Sequence, residues 1–322
     1  MKTVKIGLLG LGNIGVGSYK TLELNHDQIA ASSGIDLQIT KILERDVDKE
    51  RDIRVTPEQF TQEPNDIFQD PEISIVIELI GGIEPATTFM LEAMRNGKSV
   101  VTANKAAVAA NFDKLSATAK ENNVQFKFEA SVGGGIPILN AITTVLQANQ
   151  FEEILGILNG TTNYIMTQMT EFGLEYEDVL KVAQEKGFAE ADPTADVEGI
   201  DVANKLSILM ALAFGKYVAP EDIPTVGITG ITKEDIQAAT EKNCKIKLIA
   251  QAKNIDGKIE YSVKPMELPI DHPLASVSNE FNAVFVKGNA VDELMFYGKG
   301  AGPLPTGSAV MGDVLEIAKN LV

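Results

Sequence analysis

Apolar positions in the first 130 residues alternate between short strand-like runs and stretches with helical spacing. The strand-like runs cover residues 4–10, 36–43, 74–80, 99–103 and 124–128. Helices are predicted between them, from the first run through residue 24 and at residues 85–95 and 113–121. Strands that alternate with helices pair in parallel, so this part of the chain predicts a doubly wound α/β sheet.

The pattern changes in the second part of the chain. A strand at residues 151–158 precedes a helix that ends near Gly173, and four further strand-like runs follow, at residues 245–253, 258–264, 281–286 and 293–297. The turn Asn254-Ile-Asp-Gly257 between the first two runs is a hairpin signal. We therefore predict a second α+β lobe with a mixed, mainly antiparallel sheet and helices on one side, which also supplies a dimer interface.

A glycine-rich turn follows the first strand, in the order Gly10-Leu-Gly12-Asn13-Ile14-Gly15. Between a strand and a helix, this pattern is typical of the dinucleotide-binding Rossmann fold. Gly10 allows a tight turn, Gly12 lets the backbone approach a pyrophosphate, and Gly15 lets the helix pack on the strand. We predict cofactor contacts from these three glycines and from Asn13 and Ile14.

The domain division follows from these patterns. Residues 1–130 are predicted to form the dinucleotide-binding domain, completed by a terminal helix at 305–322 that carries Val310, Val314, Ile317 and Leu321 on one face. Residues 131–304 are predicted to form the catalytic and dimerisation domain.

Composition narrows the partners and the location. The chain has 322 residues, a net charge of −17 and a pI near 4.6, which disfavours nucleic acid and anionic membranes. One cysteine and two histidines give no internal disulfide and no zinc site. The chain opens as a strand and has no apolar run of membrane length, so we expect a cytoplasmic protein, a homodimer, acting on a small molecule.

Charged residues after the second strand point to the ribose of the cofactor. Glu44 is suited to a ribose 2′-hydroxyl and favours NAD, whereas Arg45, helped by Lys49 or Arg51, is suited to the 2′-phosphate of NADP. We expect NADP to be preferred, with NAD also accepted.

Two further candidates for cofactor contact follow later strands. Gly81 leaves room for the nicotinamide half of the cofactor, and Thr102 and Lys105 lie just past the next strand. A lysine in such a place is often a surface charge, but small neighbours favour a place for Lys105 beside the nicotinamide.

The densest group of charged residues surrounds an apolar helix predicted at residues 197–214, capped by Asp196 and by Gly215. Asp201 and Lys205 are one turn apart on this helix, which is apolar enough to be buried all round. On a surface helix such a pair would be a solvent-exposed ion pair with only a small effect on helix stability. A buried pair is a poor source of stability, so with Glu190 and Asp196 nearby it indicates a functional site.

Two polar turns leave alternatives open. Residues 129–136 contain three successive glycines, and with Glu129 they form either an oxygen-lined site for a monovalent cation or a plain hinge. Gly160 and Thr161 begin the helix after residue 158, where they bind the polar end of a substrate or only cap the helix.

With these elements in order, the sequence resembles the homoserine dehydrogenase family from Ile6 to Val322. The most specific stretch is Ala183-x-x-x-Gly-Phe-Ala-Glu-x-Asp-Pro-x-x-Asp-Val-x-Gly-x-Asp-x-x-x-Lys205, and Thr102-Ala-Asn-Lys105, Glu129-Ala-Ser-Val132, Asn159-Gly-Thr-Thr and Gly300-Ala-Gly302 also match in order. Many members continue into a C-terminal ACT domain, and this sequence ends before one would begin.

The resemblance implies NAD(P)-dependent interconversion of L-homoserine and L-aspartate 4-semialdehyde, on the route to threonine, isoleucine and methionine. It implies that Lys205 is the acid/base and Lys105 a second lysine between nicotinamide and substrate. It further implies homoserine contacts at Glu190 and Asp201, and cofactor contacts at Gly187 and Gly302. A sodium site is implied at Glu129, Val132, Gly134 and Ile136.

Two rival functions share the fold. The first is an NAD(P)-dependent oxidoreductase of another amino-acid semialdehyde, which a panel of alcohols would separate. The second is a non-catalytic dinucleotide sensor, and the presence of both Lys105 and Lys205 argues against it.

Overall fold

The protein is described from a computed structural model, which covers residues 1–321. The chain divides into two compact units. The first comprises residues 1–135 together with the segment from Ala301 onward, and the second comprises residues 136–300. No helix among residues 1–321 is long and apolar enough to cross a membrane.

The first unit is built on a six-stranded sheet in which every strand pair is parallel. In space the strands follow the order β3-β2-β1-β4-β5-β6. Their bounds are β1 Lys2–Leu9, β2 Ile35–Leu43, β3 Phe60–Thr61, β4 Ile73–Glu78, β5 Ser99–Thr102 and β6 Phe126–Lys127. The predicted doubly wound sheet is confirmed. Its two-residue edge strand β3 was not predicted, because so short a segment has no periodicity.

Helices cover this sheet and include the last helix of the chain. They are α1 Asn13–Ser33, α2 Asn65–Phe68, α3 Ala86–Arg95, α4 Lys105–Ala110, α5 Phe112–Glu121 and α12 Pro303–Leu321. Val310, Val314 and Ile317 of α12 are fully buried in the same core as Ile6 and Leu8 of β1, whereas Leu321 is exposed. The terminal helix is therefore part of the core of the first unit.

Helices α1 and α12 meet backbone to backbone. A Cβ added at Gly17 would lie 2.1 Å from the Pro303 carbonyl oxygen, and one added at Gly307 would lie 2.6 Å from the Gly17 carbonyl carbon. Only glycine permits this approach. The contact fixes the start of α12 against the helix that follows the glycine-rich turn.

The second unit contains a five-stranded sheet in the order β11-β10-β7-β8-β9. Its strands are β7 Phe151–Ile157, β8 Cys244–Ile255, β9 Lys258–Pro269, β10 Phe281–Gly288 and β11 Asp292–Lys299. All four strand pairs are antiparallel. The expected mixed sheet is thus antiparallel in its strand pairs, with one isolated parallel bridge between Thr225 and Val263 in the described chain. Asp256 and Gly257 both have positive φ, +50° and +85°, as a tight hairpin turn requires.

The helices of the second unit are α6 Ile138–Asn140, α7 Gly160–Phe172, α8 Tyr176–Glu185, α9 Thr194–Val197, α10 Ile200–Phe214 and α11 Lys233–Glu241. The single helix predicted at residues 197–214 is wrong at its start, because Gly199, at φ +82°, breaks it into α9 and α10. Asp196 is therefore not its cap. Asp192 stabilises the start of α9 instead, since its Oδ1 accepts from the Thr194 N–H (3.1 Å) and hydroxyl (2.6 Å). The predicted end at Gly215 is confirmed.

Candidate active site

The glycine-rich turn joins β1 to α1 in the first unit. Gly10 has φ +90°, and a Cβ there would lie 2.9 Å from the Leu79 carbonyl oxygen. A Cβ at Gly15 would lie 2.4 Å from the Gly10 carbonyl oxygen, so these two glycines are required by the protein itself. A Cβ at Gly12 would meet no described atom within 4 Å. Gly12 therefore faces open space at the start of α1, where Asn13 and Ile14 present the first N–H groups to an anion.

Beside this turn lies a cavity of about 450 Å³ lined by Gly10, Gly12, Glu44, Arg45, Gln62 and Phe89 among others. Its volume and its mixed polar and apolar walls suit a nucleoside. The cavity, the open position at Gly12 and the uncapped start of α1 together fit a dinucleotide cofactor.

Glu44 is held by the backbone around it. Its Oε2 accepts from the Leu11 N–H (2.8 Å), and its Oε1 accepts from the N–H groups of Arg45 (2.8 Å) and Asp46 (3.1 Å). Burial raises the pKa of Glu44, but these N–H donors and the charge of Arg51 outweigh it and leave the pKa below its usual value. Glu44 is an ionised anchor for the turn.

The two arginine side chains of this loop differ in solvent exposure and in their hydrogen bonds. Arg51 pairs with Glu44 at 3.4 Å and donates to the carbonyl oxygens of Leu11, Asp46 and Lys49 at 2.9–3.0 Å. Its side chain is only 4% exposed. Arg45 is exposed. Arg51 is thus used in holding the loop, whereas Arg45 has the exposure that a cofactor contact needs.

The ends of β4 and β5 are tied together by a buried carboxyl group. Thr102 donates its hydroxyl to Glu78 Oε2 (2.7 Å), and the Ile80 N–H donates to Glu78 Oε1 (2.7 Å). Burial raises the pKa of Glu78. Glu78 was missed by the sequence reasoning, although an acidic residue closing the apolar run at residues 73–77 was a signal that could have found it.

Asn104 links this group to the loop after β4. Its N–H donates to the Thr102 hydroxyl (3.0 Å) and its Nδ2 donates to the Gly82 carbonyl (2.6 Å). Its Oδ1 caps α4 by accepting from the Ala107 N–H (3.1 Å). Lys105 is the first residue of α4 and is half-buried. The loop with Gly81 and the start of α4 are therefore held as one assembly at the carboxyl edge of the sheet.

In the second unit, Lys205 and Asp201 form the buried pair that the sequence indicated. Lys205 Nζ donates to Asp201 Oδ2 (2.7 Å) and to the Leu158 carbonyl (2.6 Å). The two side chains are only 9% and 6% exposed. An ammonium group held this way by one carboxylate and one carbonyl has a fixed position from which to exchange a proton.

Asn159 connects the pair to a second acid. Its Nδ2 donates to Asp201 Oδ2 (2.9 Å) and to Asp196 Oδ1 (2.7 Å), while its Oδ1 caps α7 through the Thr162 N–H (2.9 Å). The Thr161 hydroxyl donates to the Phe188 carbonyl (2.6 Å) and lies 3.1 Å from Asp196 Oδ2. Asn159 was not among the predicted site residues, since a capping asparagine is a frequent feature of any helix.

The remaining predicted residues lie outside this hydrogen-bonded group. Gly187, at φ +74°, and Glu190 are both exposed after α8, and the Glu190 carbonyl accepts from Gln184 Nε2 (3.1 Å). Gly160 is the first residue of α7. Gly302, at φ +117°, belongs to the first unit, and its carbonyl accepts from the Thr306 N–H (3.1 Å) at the start of α12.

The segment predicted to hold a cation is buried. Glu129, Val132 and Ile136 are each 7% exposed or less, and Gly134 has φ +56°. The N–H of Glu129 donates to Asp313 Oδ2 (2.8 Å), and burial raises the pKa of Asp313 to about 7. No group of three or more acidic, histidine or cysteine side chains suited to a metal occurs within residues 1–321.

Comparison with known proteins agrees with both parts of the geometry. The sequence model of the homoserine dehydrogenase NAD-binding domain matches residues 10–129, and that of homoserine dehydrogenase matches residues 137–315. The homoserine dehydrogenase of Bacillus subtilis (strain 168) is 46% identical over 321 residues, which are 100% of this chain and 74% of the relative.

Solved structures are similar over the same extent. The crystal structure of a homoserine dehydrogenase from Thiobacillus denitrificans has a TM-score of 0.95 at 43% identity, and the match covers 99% of this chain and 74% of that one. A hyperthermophilic archaeal homoserine dehydrogenase in complex with NADPH has a TM-score of 0.81 at 27% identity, over 99% of this chain and 98% of that one.

The parallel sheet with its open glycine turn, together with these family matches, identifies an NAD(P)-dependent oxidoreductase. The chain belongs to the homoserine dehydrogenase family. Its reaction is the reversible hydride transfer that interconverts L-homoserine and L-aspartate 4-semialdehyde.

Proposed function

We propose that Lys205 is the acid/base of this reaction and that the group around it binds homoserine. The observation that carries the proposal is the buried ammonium of Lys205, held at 2.6 Å from the Leu158 carbonyl and 2.7 Å from Asp201 Oδ2. A buried ammonium group in a fixed position can polarise an aldehyde oxygen and give it a proton during reduction. The resulting amine can take a proton from the hydroxyl during oxidation.

The nicotinamide of a bound cofactor supplies the chemistry of accepting or giving the hydride. In homoserine oxidation, the carbinol carbon loses a hydride while its hydroxyl proton passes to neutral Lys205. In the reverse direction, the Lys205 ammonium gives that proton to the forming alkoxide. Lys105, at the start of α4, contributes a second positive charge that stabilises the developing oxyanion.

The polar ends of homoserine have different partners. Carboxylates suit its ammonium group, and we assign Glu190 and Asp201 to it. Gly160 and Thr161 at the start of α7 suit its carboxylate, because the N–H groups of a helix start attract an anion. Asp196 is a further candidate contact, and its carboxylate accepts from Asn159 Nδ2 and lies 3.1 Å from the Thr161 hydroxyl.

For the cofactor we propose contacts at Gly10, Gly12, Asn13, Ile14, Gly15, Gly81, Thr102, Lys105, Gly187 and Gly302. Thr102 also donates its hydroxyl to Glu78 and accepts from the Asn104 N–H, so besides contacting the cofactor it ties the ends of β4 and β5 together.

We further propose that NADP is preferred through Arg45. Exposure of Arg45 and the engagement of Arg51 support this choice. Arg45→Ala should raise the KM for NADPH about tenfold or more, since a charge-assisted contact is lost, and leave that for NADH unchanged. Arg51→Met is the matched comparison, because it disturbs the loop and should weaken both cofactors alike.

We also propose that a sodium ion binds at Glu129, Val132, Gly134 and Ile136. We further propose a homodimer, supported by the exposed side chains of Met295 and Tyr297 on the edge strand β11. A cytoplasmic location and a place in threonine, methionine and isoleucine biosynthesis complete these proposals.

One assay tests the activity and its rivals. Absorbance of the reduced nicotinamide should rise when homoserine is added with NADP⁺, and also, more slowly, with NAD⁺. Turnover of another amino-acid alcohol in preference to homoserine would favour a different semialdehyde oxidoreductase. Cofactor binding without turnover of any alcohol in the panel would favour a sensor.

A further inference from the structure

A second buried lysine lies in the sheet of the second unit, apart from the groups assigned so far. Lys247 on β8 is 2% exposed. Its Nζ donates to Asn163 Oδ1 (2.9 Å) and to the Val277 carbonyl (2.7 Å), and lies 3.5 Å from the Thr167 hydroxyl. These three partners are neutral oxygens. Burying an ammonium group among neutral partners lowers the stability of the folded state, so its presence indicates a functional role.

Charged groups further away do not offset the desolvation of the Lys247 ammonium. Burial lowers the pKa of Lys247 to about 8, and the like charge of Lys245 on the same strand adds to the effect. Glu171 on α7 opposes it. The cation is therefore maintained by hydrogen bonds and not by a close carboxylate.

Asn163, the residue that Lys247 holds, fixes a loop. Its Nδ2 donates to the carbonyl oxygens of Asn279 (2.9 Å), Phe281 (3.0 Å) and Val277 (3.3 Å). Lys247 orients this amide by donating a hydrogen bond to its Oδ1, so that the NH₂ group faces the loop. The loop at residues 277–281 is thus held mainly by the Asn163 amide, with further hydrogen bonds from Lys247 to the Val277 carbonyl and from the Asn279 N–H to the Thr167 hydroxyl, and Lys247 orients that amide.

The same loop contacts the start of α7. A Cβ added at Gly160 would lie 2.7 Å from the Glu280 carbonyl oxygen, so the loop backbone rests directly on the first residue of the helix. Gly160 follows Asn159, whose amide donates to Asp196 and Asp201. A shift of the loop would therefore move the helix start and the amide that holds both acids.

We propose that Lys247 is a positioning residue for homoserine, acting through Asn163 and the loop at residues 277–281 on the start of α7. The inference rests on the proposed homoserine site at that helix start. Lys247 holds the binding groups in place without touching the reacting atoms. Its loss should therefore weaken homoserine binding more than it slows the chemistry.

The test is Lys247→Met, which keeps the length of the side chain and removes its charge and donors. We expect the KM for homoserine to rise about tenfold or more, with kcat within about threefold and the cofactor Kd unchanged. The melting temperature should fall by a few degrees, because Asn163 Oδ1 and the Val277 carbonyl lose their donor, so the KM for homoserine is the deciding readout. A lysine with only a structural role would lower stability and leave the KM for homoserine unchanged.

Two further variants make the test specific. Asn163→Asp keeps an acceptor for Lys247 but removes the amide donor to the loop, so it should reproduce the rise in KM. Lys98→Met is the matched control: Lys98 is 4% exposed and donates to the carbonyls of Asp70 and Ile73 in the first unit, so its loss should not change the KM for homoserine.

Three results would overturn the proposal. They are a wild-type KM for homoserine in Lys247→Met, a wild-type KM in Asn163→Asp, or an equal rise in Lys98→Met. If Lys247→Met does not fold, Asn163→Asp decides alone. Asp201→Asn separates this proposal from the one it rests on: a raised KM there with a normal KM in Lys247→Met contradicts only the role of Lys247. A normal KM together with a normal kcat in Asp201→Asn contradicts the assignment of the site.

Discussion

The proposed cofactor site in the first unit is formed mainly by backbone groups, whereas the proposed substrate site in the second unit is formed mainly by side chains. At the cofactor end the backbone dominates, through glycines that allow close approaches and an uncapped helix start. At the substrate end side chains dominate, through a chain of hydrogen bonds from Lys205 to Asp201, Asn159 and Asp196. A backbone site tolerates changes in its neighbours, whereas a side-chain network depends on every member.

The largest expected effect is on the side-chain network. Lys205→Met should lower kcat by about a hundredfold or more, since an acid/base group is lost, while cofactor binding is retained. Stability should also fall, because Asp201 is left as a buried carboxylate with its charge less compensated. Steady-state kinetics and NADPH titration check the first two expectations.

Controls for this prediction lie just past the end of the same helix and in the pair itself. Lys216 lies just past the end of α10, with its Nζ 5.0 Å from the centre of the Tyr261 ring, and Lys216→Met should leave kcat unchanged. Combining Asp201→Asn with Lys205→Met should recover part of the lost stability. A Lys205→Met enzyme with near-normal kcat would show that the proton travels by another group.

The backbone site gives an intermediate effect that separates two kinds of glycine. Gly12→Ala should keep the melting temperature, because its Cβ points into open space, but weaken cofactor binding about tenfold or more. Gly15→Ala should lower the melting temperature, because its Cβ would lie 2.4 Å from the Gly10 carbonyl. Thermal unfolding and cofactor titration of both variants test this distinction. An equal fall in melting temperature for Gly12→Ala and Gly15→Ala would refute it.

The smallest effect is expected from a surface pair that belongs to neither site. His26 Nε2 lies 2.8 Å from Asp36 Oδ1, and this hydrogen bond, with that to Asp27, raises the pKa of His26 above 6.5. Its stabilisation is fully present below pH 6.5 and is lost as pH rises through the raised value. Because the imidazole is 40% exposed, solvent screening keeps the contribution small.

His26→Gln should lower the melting temperature by about one or two degrees near pH 5.5, and by nothing measurable near pH 9. Kinetic constants should stay at their wild-type values at both pH values. A larger loss at high pH than at low pH would contradict the assignment of this shift.

The sequence predicted the parallel sheet well because periodicity and the glycine pattern are local signals. It failed where the decisive contact comes from elsewhere in the chain. Gly199 breaks the predicted helix where the chain passes Thr225, with a Cβ there lying 3.0 Å from Thr225 Cγ2. The edge strand β3 exists only because β2 offers it a partner.

The site follows the same rule. Asp201 and Lys205 were predicted as a pair because they are one helical turn apart, and the structure brings Asp196 and Thr161 to them. The bridging amide of Asn159 and the buried Glu78 depend on contacts between distant segments, as does the link from Lys247 to the loop before β10. Residue type alone does not predict these contacts, although the position of Glu78 at the end of an apolar run marked it as a candidate.

The most direct test of the proposed homoserine site is Asp201→Asn, assayed for homoserine and for NADPH in the same preparation. The substitution keeps the shape of the side chain and removes the charge that holds Lys205. We expect a homoserine KM raised about tenfold or more, or a kcat lowered by a similar factor, with the NADPH Kd unchanged. Wild-type values of KM and kcat would show that the buried pair is structural and that homoserine binds elsewhere.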